Sequence, residues 1–452
     1  MANFTTDASI CIERVLEPKV ANNLKENISE TYEISQSCKW ISENYYSKVC
    51  LQFPDELLGV SATIYEEIKK NVDVDLYILG DTSYASCCVD SVAAMHVQAE
   101  AVIHYGRTCF SKTNIPLFTV LPKKQLNTAS IFQQIGDLEG DLCLFYDAEY
   151  DYCKDELTNL WFEKYPQSYI AYVDMVEHDQ WFLGRTIRDQ SQSVKNMETL
   201  ESCHCIYLGS NGQTLFNYAI SVPAKSWHLL DVETKKLEKI DETAWFKRRR
   251  FLVEKCKDAN VIGILICKLS GDDTKDIISR MKNLCKANQK KSYIVSVGKP
   301  NVAKLANFPE IDIYVMIACP ENDLYSSRDF YKPIVYPYEL EIALNENRTP
   351  YNSSTHITDF NQMLPGQRHY CDIKSSNTSD VSLITGQIRD NSVVLSGDGK
   401  ELATKENWAI DICQLLNKRS WTGLQQNLGE TEVKLAEEGR KGIPLQYKNE
   451  PE

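Results

Sequence analysis

The segment GDTSYASCCVD (residues 80–90) sets two adjacent cysteines, Cys87 and Cys88, directly after an apolar run and a turn. Two more cysteines stand in comparable places. Cys109 follows the run EAVIHYG within HYGRTC, and Cys319 closes IDIYVMIAC just ahead of a proline. In open α/β sheets the ligand crevice lies beyond the carboxyl ends of the strands, so thiols there are candidates for chemistry. Thiolates gathered from separate loops, with no histidine partner, favour an iron–sulfur cluster over zinc. Three of them would leave one iron open to a substrate. The plain alternative is that these thiols are small hydrophobes packed under their loops. No CxxC pair and no CxxxCxxC run occurs, so zinc ribbons and the ordinary radical-SAM signature are absent.

The elements that would position these thiols form a repeating pattern. Short runs rich in β-branched and aromatic residues alternate with stretches of helical periodicity, the mark of α/β units on parallel sheets. In the first third the strands are KVCLQFP (48–54), VDLYILGD (74–81), EAVIHYG (100–106) and LFTVLP (117–122), with helices over 56–70 and 89–99. The middle third offers DLCLFYD (141–147), SYIAYVD (168–174) and CIYLGS (205–210). The last third offers ANVIGILIC (259–267), a helix near 274–288, KSYIVSVG (291–298) and IDIYVMIAC (311–319). The expected organisation is an N-terminal segment (1–37), three similar α/β domains (38–135, 136–255 and 256–350) and an irregular extension (351–452). The final KNEPE reads as disordered.

Composition narrows the function class. The 452 residues are 43% hydrophobic, enough for several cores, and the formal charge of −14 argues against nucleic-acid or anionic-membrane binding. The start, MANFTTDASICIERVLEPKV, lacks a basic stretch followed by an apolar core, and no run is long enough to span a bilayer. A cytoplasmic location is expected, which would make the five Asn-x-Ser/Thr triplets chance matches. Sixteen cysteines in a reducing compartment point to core packing or metal binding rather than disulfides. No GxGxxG or P-loop is present, so an independent nucleotide-binding enzyme has no motif behind it. His104 reads as a core histidine, Asp81 and Asp90 as helix caps or loop anchors, and FKRRRF (246–251) as the solvated face of a linking helix. The prolines of FYKPIVYPYELEIAL (330–344) would fix the chain path after Cys319.

Longer segments carry a resemblance. GDTSYASCCVDSVAAMHVQAEAVIHYGRTC, KSYIVSVGKPNVAKLANFPEIDIYVMIACPEN and FYKPIVYPYELEIAL resemble the family that makes the first intermediate of diphthamide. LQFPDELLG (51–59), DVSLITG (380–386) and RSWTGL (419–424) extend the match, in order, over roughly residues 40–445. The resemblance implies three α/β domains about a pseudo-threefold axis, each catalytic protomer giving one cysteine per domain to a 4Fe–4S cluster. It also implies the activity of such complexes: transfer of a 3-amino-3-carboxypropyl group from S-adenosylmethionine to a histidine of translation elongation factor 2. The implied partners are a catalytic subunit, diphthamide biosynthesis protein 1, in a heterodimer, and a small iron-binding electron donor with its NADH-dependent reductase.

Carried over residue by residue, the first-domain ligand falls on Cys87 or Cys88 and the third on Cys319. At the middle position the family's cysteine is replaced: the chain reads IYLGSNGQTL, with Ser210 there. A serine hydroxyl stays protonated and is a poor iron ligand. Cys109 is the natural substitute, whereas Cys203 and Cys205 would lie on one face of a strand. The resemblance thus implies an assisting subunit with no catalytic residue of its own. It would hold an accessory 4Fe–4S cluster on Cys87 or Cys88, Cys109 and Cys319, and would help keep its partner's cluster reduced. The alternative is a metal-free partner that only stabilises and orients the catalytic subunit.

Overall fold

A computed structural model describes residues 28–80, 86–135, 138, 140–267, 274–297, 300–319, 321, 329–348, 356–375, 379–389, 442–443 and 446–447. Three separate sheets follow one another along the chain. The first is built from β1 (Lys48–Gln52), β2 (Asp75–Leu79), β3 (Ala101–Tyr105) and β4 (Leu117–Val120), in the order β2-β1-β3-β4, all parallel. Helices α1 (Ile34–Glu43), α2 (Leu58–Asn71) and the short α3 (Ser91–His96) complete it. Strands covered on both faces must be apolar throughout, and β1 shows why. Val49 and Leu51 feed one core cluster, with Tyr32, Ile34, Ile64 and Ile68, while Cys50 feeds the other, with Leu79 and Val102.

The middle sheet has seven strands. β5 (Leu142–Tyr146), β6 (Tyr169–Val173), β9 (His204–Gly209) and β10 (Ser226–Asp231) run parallel. Three outer strands, β7 (Arg185–Arg188) and β8 (Val194–Lys195) at one side and β11 (Leu237–Lys239) at the other, pair antiparallel. These three lie outside the sequence expectation because they are short and rich in charged residues. Alternation again splits the core: Leu142, Leu144 and Tyr146 face one cluster, Cys143 and Phe145 the other. Helices α4 (Lys154–Lys164) and α5 (Gln213–Ser221) belong to this layer.

Helix α6 (Glu242–Asp258) leads into the third sheet, β13-β12-β14-β15, all parallel: β12 (Val261–Ile266), β13 (Lys291–Ser296), β14 (Ile313–Ile317) and β15 (Ile334–Val335). Its helices are α7 (Thr274–Ala287) and α8 (Pro337–Leu344), the latter started by Pro337 at its first turn. The basic run in α6 departs from the expected solvated face. Arg249 is buried, its Nε 3.0 Å from Glu339 and its guanidinium over the Tyr336 ring. Side chains after residue 350, including Ile357, Phe360 and Met363, enter the third core.

The three sheets lie within one compact unit, Met1–Val394. A second unit, Leu395–Glu452, contains a two-stranded ladder, Gly442–Ile443 with Gln446–Tyr447. The amino-terminal stretch 1–27, Asp81, RSWTGL and the final KNEPE lie outside the described residues. No described helix is long and apolar enough to cross a membrane.

Candidate metal centre

The strand-end loops of the first and third sheets meet. Cys87, Cys88, Cys109 and Cys319 bring their sulfurs within 4.8 Å of one another. Cys87 Sγ lies 3.6 Å from Cys319 Sγ, and Cys88 Sγ lies 3.7 Å from Cys109 Sγ. Cys88 and Cys319 are buried, whereas Cys87 and Cys109 are half-buried.

Each loop is held by polar residues at the ends of neighbouring strands. Gln52, buried at the end of β1, donates its amide to the Cys88 carbonyl at 2.7 Å and accepts the Asp90 N–H at 2.9 Å. Asp90 also caps α3 by accepting the Ala93 N–H. His104 on β3 lies 2.9 Å from the Ser86 carbonyl through Nε2. A carbonyl only accepts, so Nε2 carries the proton, and burial holds the ring's pKa down. The Cys109 N–H bonds the Cys87 carbonyl at 3.2 Å and joins the two loops of the first sheet. Gly106 makes the turn between β3 and Cys109 with φ of +111°, where a side chain would press on Pro54.

The middle sheet gives no sulfur to this group. Ser210 is exposed at the end of β9, ahead of α5. Cys203 and Cys205 are fully buried with Cys143 in an apolar cluster instead. What the middle layer provides is anchorage. Arg107, two residues before Cys109, sets Nη2 2.9 Å from Asp147 Oδ2, just past the end of β5, and Asp147 also accepts the buried Tyr207 hydroxyl at 3.0 Å. Glu321, two residues after Cys319, accepts from Thr214 Oγ1 at 2.6 Å and Asn217 Nδ2 at 2.9 Å on α5. Phe110, next to Cys109, covers Gly184 at the start of β7, where any Cβ would collide with the ring. Gln52, Asp147 and Glu321 carry no periodic or motif signal. The only sequence sign was their position beside a strand end or a candidate thiol.

The electrostatics of the nest suit a cation. Hydrogen bonding to Cys109 pushes the Cys87 thiol well up, and burial does the same to Cys319, with the neighbouring thiols adding to it. Cys87 and Cys319 thus resist ionisation until a metal beside them reverses the balance, because a coordinating thiol is deprotonated outright. The Glu321 N–H, 3.3 Å from Cys319 Sγ, is placed to support a thiolate there. An all-sulfur donor set from separate loops fits an iron–sulfur group.

The family model described as "Putative diphthamide synthesis protein" matches residues 53–353. Among curated proteins the chain is similar to 2-(3-amino-3-carboxypropyl)histidine synthase subunit 2 of Danio rerio, 34% identical over 99% of this chain and 97% of that protein. The Xenopus laevis protein of the same name is 35% identical over 95% of this chain and 94% of its own. Among solved structures, Dph2 from Pyrococcus horikoshii with a 4Fe–4S cluster aligns at a TM-score of 0.54 and 18% identity, over 76% of this chain and 98% of that one. Its counterpart described without the cluster gives 0.55, also at 18% identity, over 75% and 96%.

Proposed function

The chain belongs to the diphthamide synthesis family, and from that premise we propose that it is the assisting subunit of a 2-(3-amino-3-carboxypropyl)histidine synthase. In this reading Cys87, Cys88, Cys109 and Cys319 are the thiols that hold a 4Fe–4S cluster. The cluster, when bound, supplies one-electron transfer. The observation that carries the reading is the convergence of four thiols from three separate loops, each loop pinned by its own polar anchor.

The finer reading follows from what the middle layer lacks. With an exposed serine, Ser210, at the middle position, the three-domain ligand set that a catalytic protomer of the family would carry lacks its middle thiol. The chain then serves diphthamide biosynthesis protein 1 within a cytoplasmic heterodimer, keeping that partner reduced while it modifies a histidine of translation elongation factor 2 with the aminocarboxypropyl group of S-adenosylmethionine. A small iron-binding donor and its NADH-dependent reductase would supply the electrons. Residues 38–135, 136–255 and 256–350 serve as its three domains.

One observation favours a second reading. A single ion held by four thiolates at about 2.3 Å has sulfur edges of about 3.8 Å, close to the 3.6 and 3.7 Å separations here, whereas a four-iron cluster needs the sulfurs further apart. The deciding experiment is anaerobic co-purification with the catalytic subunit, the partner's cluster cysteines replaced, followed by iron, sulfide and zinc counting and EPR. Four irons and four sulfides with a reducible signal support the cluster. One equivalent of zinc or iron without sulfide would establish the single-ion site. No metal at all would make this chain a purely structural partner.

A further inference from the structure

Two adjacent cysteines enter a site for which three thiols would suffice, and resting on the cluster reading above, the geometry assigns both of them to it. We propose that Cys87 is a fourth thiolate ligand beside Cys88, Cys109 and Cys319, so that the cluster of this chain is saturated by its own protein and closed to S-adenosylmethionine and other small ligands. Three observations carry this.

The first is position. Cys87 Sγ is as near to Cys319 Sγ, at 3.6 Å, as Cys88 Sγ is to Cys109 Sγ, at 3.7 Å. All four sulfurs lie within 4.8 Å of one another, and no distance singles out one of them as a bystander. The second is surroundings. Cysteines that pack as hydrophobes here sit inside apolar clusters, as Cys143, Cys203, Cys205, Cys256 and Cys285 do. Cys88 and Cys319 are buried yet belong to none of the described core clusters, and Cys87 is half-buried beside them. Their common neighbours are one another, which is an arrangement for a shared ligand rather than for packing.

The third is the backbone. Neighbouring residues usually send their side chains in opposite directions, so two successive thiols reach one point only if the chain is held in a tight loop. That loop is pinned at successive carbonyls. Ser86 is held by His104, Cys87 by the Cys109 N–H and Cys88 by Gln52. With each of these carbonyls engaged, the loop is fixed over both cysteines.

A cluster iron binds an outside molecule through a position that no protein ligand fills, and four cysteines fill all four irons. Saturation would separate this subunit from its catalytic partner by coordination number alone: it could carry an electron but not hold the aminocarboxypropyl donor.

The test uses the heterodimer with the partner's cluster cysteines replaced, so that only this centre contributes. The EPR spectrum of the reduced complex is recorded alone, with excess S-adenosylmethionine and with excess cyanide. The expected wild-type result is a spectrum that neither probe moves. Cys87→Ala is expected to keep most of the iron and to gain a cyanide-dependent shift in g-values, and Cys87→Ser to keep the iron with an altered spectrum. A wild-type spectrum that shifts with either probe would overturn the proposal. So would a Cys87→Ala spectrum that matches the wild type under all three conditions. If Cys87→Ala loses its iron altogether, the wild-type response decides alone. Absence of iron and sulfide in the wild-type chain would instead sink the cluster reading on which the proposal rests.

Discussion

The middle sheet and its two neighbours end their strands in different chemistry. In the first sheet β2 and β3 run out into Cys87, Cys88 and Cys109, and in the third β14 runs out into Cys319. In the middle sheet β9 runs out into Gly209 and an exposed serine. The middle layer still reaches the thiol loops, through Asp147 to Arg107 and through Thr214 and Asn217 to Glu321. A repeated architecture can therefore end a strand without a thiol in one layer and still brace the thiol loops of its neighbours. The brace uses oxygen and nitrogen groups engaged with one another, which leaves sulfur as the only soft donor facing the centre.

The largest expected effect tests the ligand side of this contrast. Cys319→Ala should abolish bound iron, while Ser210→Ala should leave it unchanged, both read by metal analysis of the anaerobically purified complex. Substantial iron loss from Ser210→Ala would show that the middle strand end still contributes to the centre, and the contrast would fail.

Next comes the brace itself. Glu321 is half-buried, and desolvation pushes its carboxyl pKa up, yet it accepts two hydrogen bonds from α5. Glu321→Ala leaves the buried Asn217 amide short of an acceptor, and we expect a loss of about 1–3 kcal/mol in urea unfolding together with lower iron occupancy. Unchanged occupancy would mean that α5 braces the fold but not the metal site. Asp147→Asn removes the charge that faces Arg107 but keeps an acceptor for Tyr207, so about 1 kcal/mol is expected in the same measurement. Arg107→Ala should be the mildest. Its side chain is 55% exposed, and solvent screening limits the ion pair to about 0.2–1 kcal/mol. A Cys109 loop that loses iron on this change, with stability intact, would make Arg107 a positioning residue for the thiol.

The sequence made the parallel strands legible because buried parallel strands must be continuous apolar runs, as KVCLQ and IYVMI are. It made the four thiols legible as strand-end residues, and their meeting follows from the parallel sheets that carry them. The antiparallel edge was not legible. RTIR in β7 looks polar, although Arg185 is buried with Nη2 2.6 Å from the Tyr146 carbonyl and Nε 2.9 Å from the Tyr218 hydroxyl. Arg249 misled in the same way, since a basic run carries no mark of which arginine will find a buried Glu339. Polar residues made internal by one long-range partner have no periodicity to betray them.

The thiol pair Cys87 and Cys319 joins positions 232 residues apart, and this bears on the order in which the protein comes into being. During synthesis the first sheet emerges and presents Cys87, Cys88 and Cys109 long before the ribosome has made the strand that delivers Cys319. For that interval an incomplete donor set faces solvent, open to oxidants and to adventitious metal. Closing so long a loop costs the unfolded chain about 5 kcal/mol of entropy by the chain-entropy estimate, so a bound metal would act as a late clasp on a chain already collapsed. Nascent chains starved of iron should accordingly differ from mature ones less in their sheets than in how long they survive proteolysis.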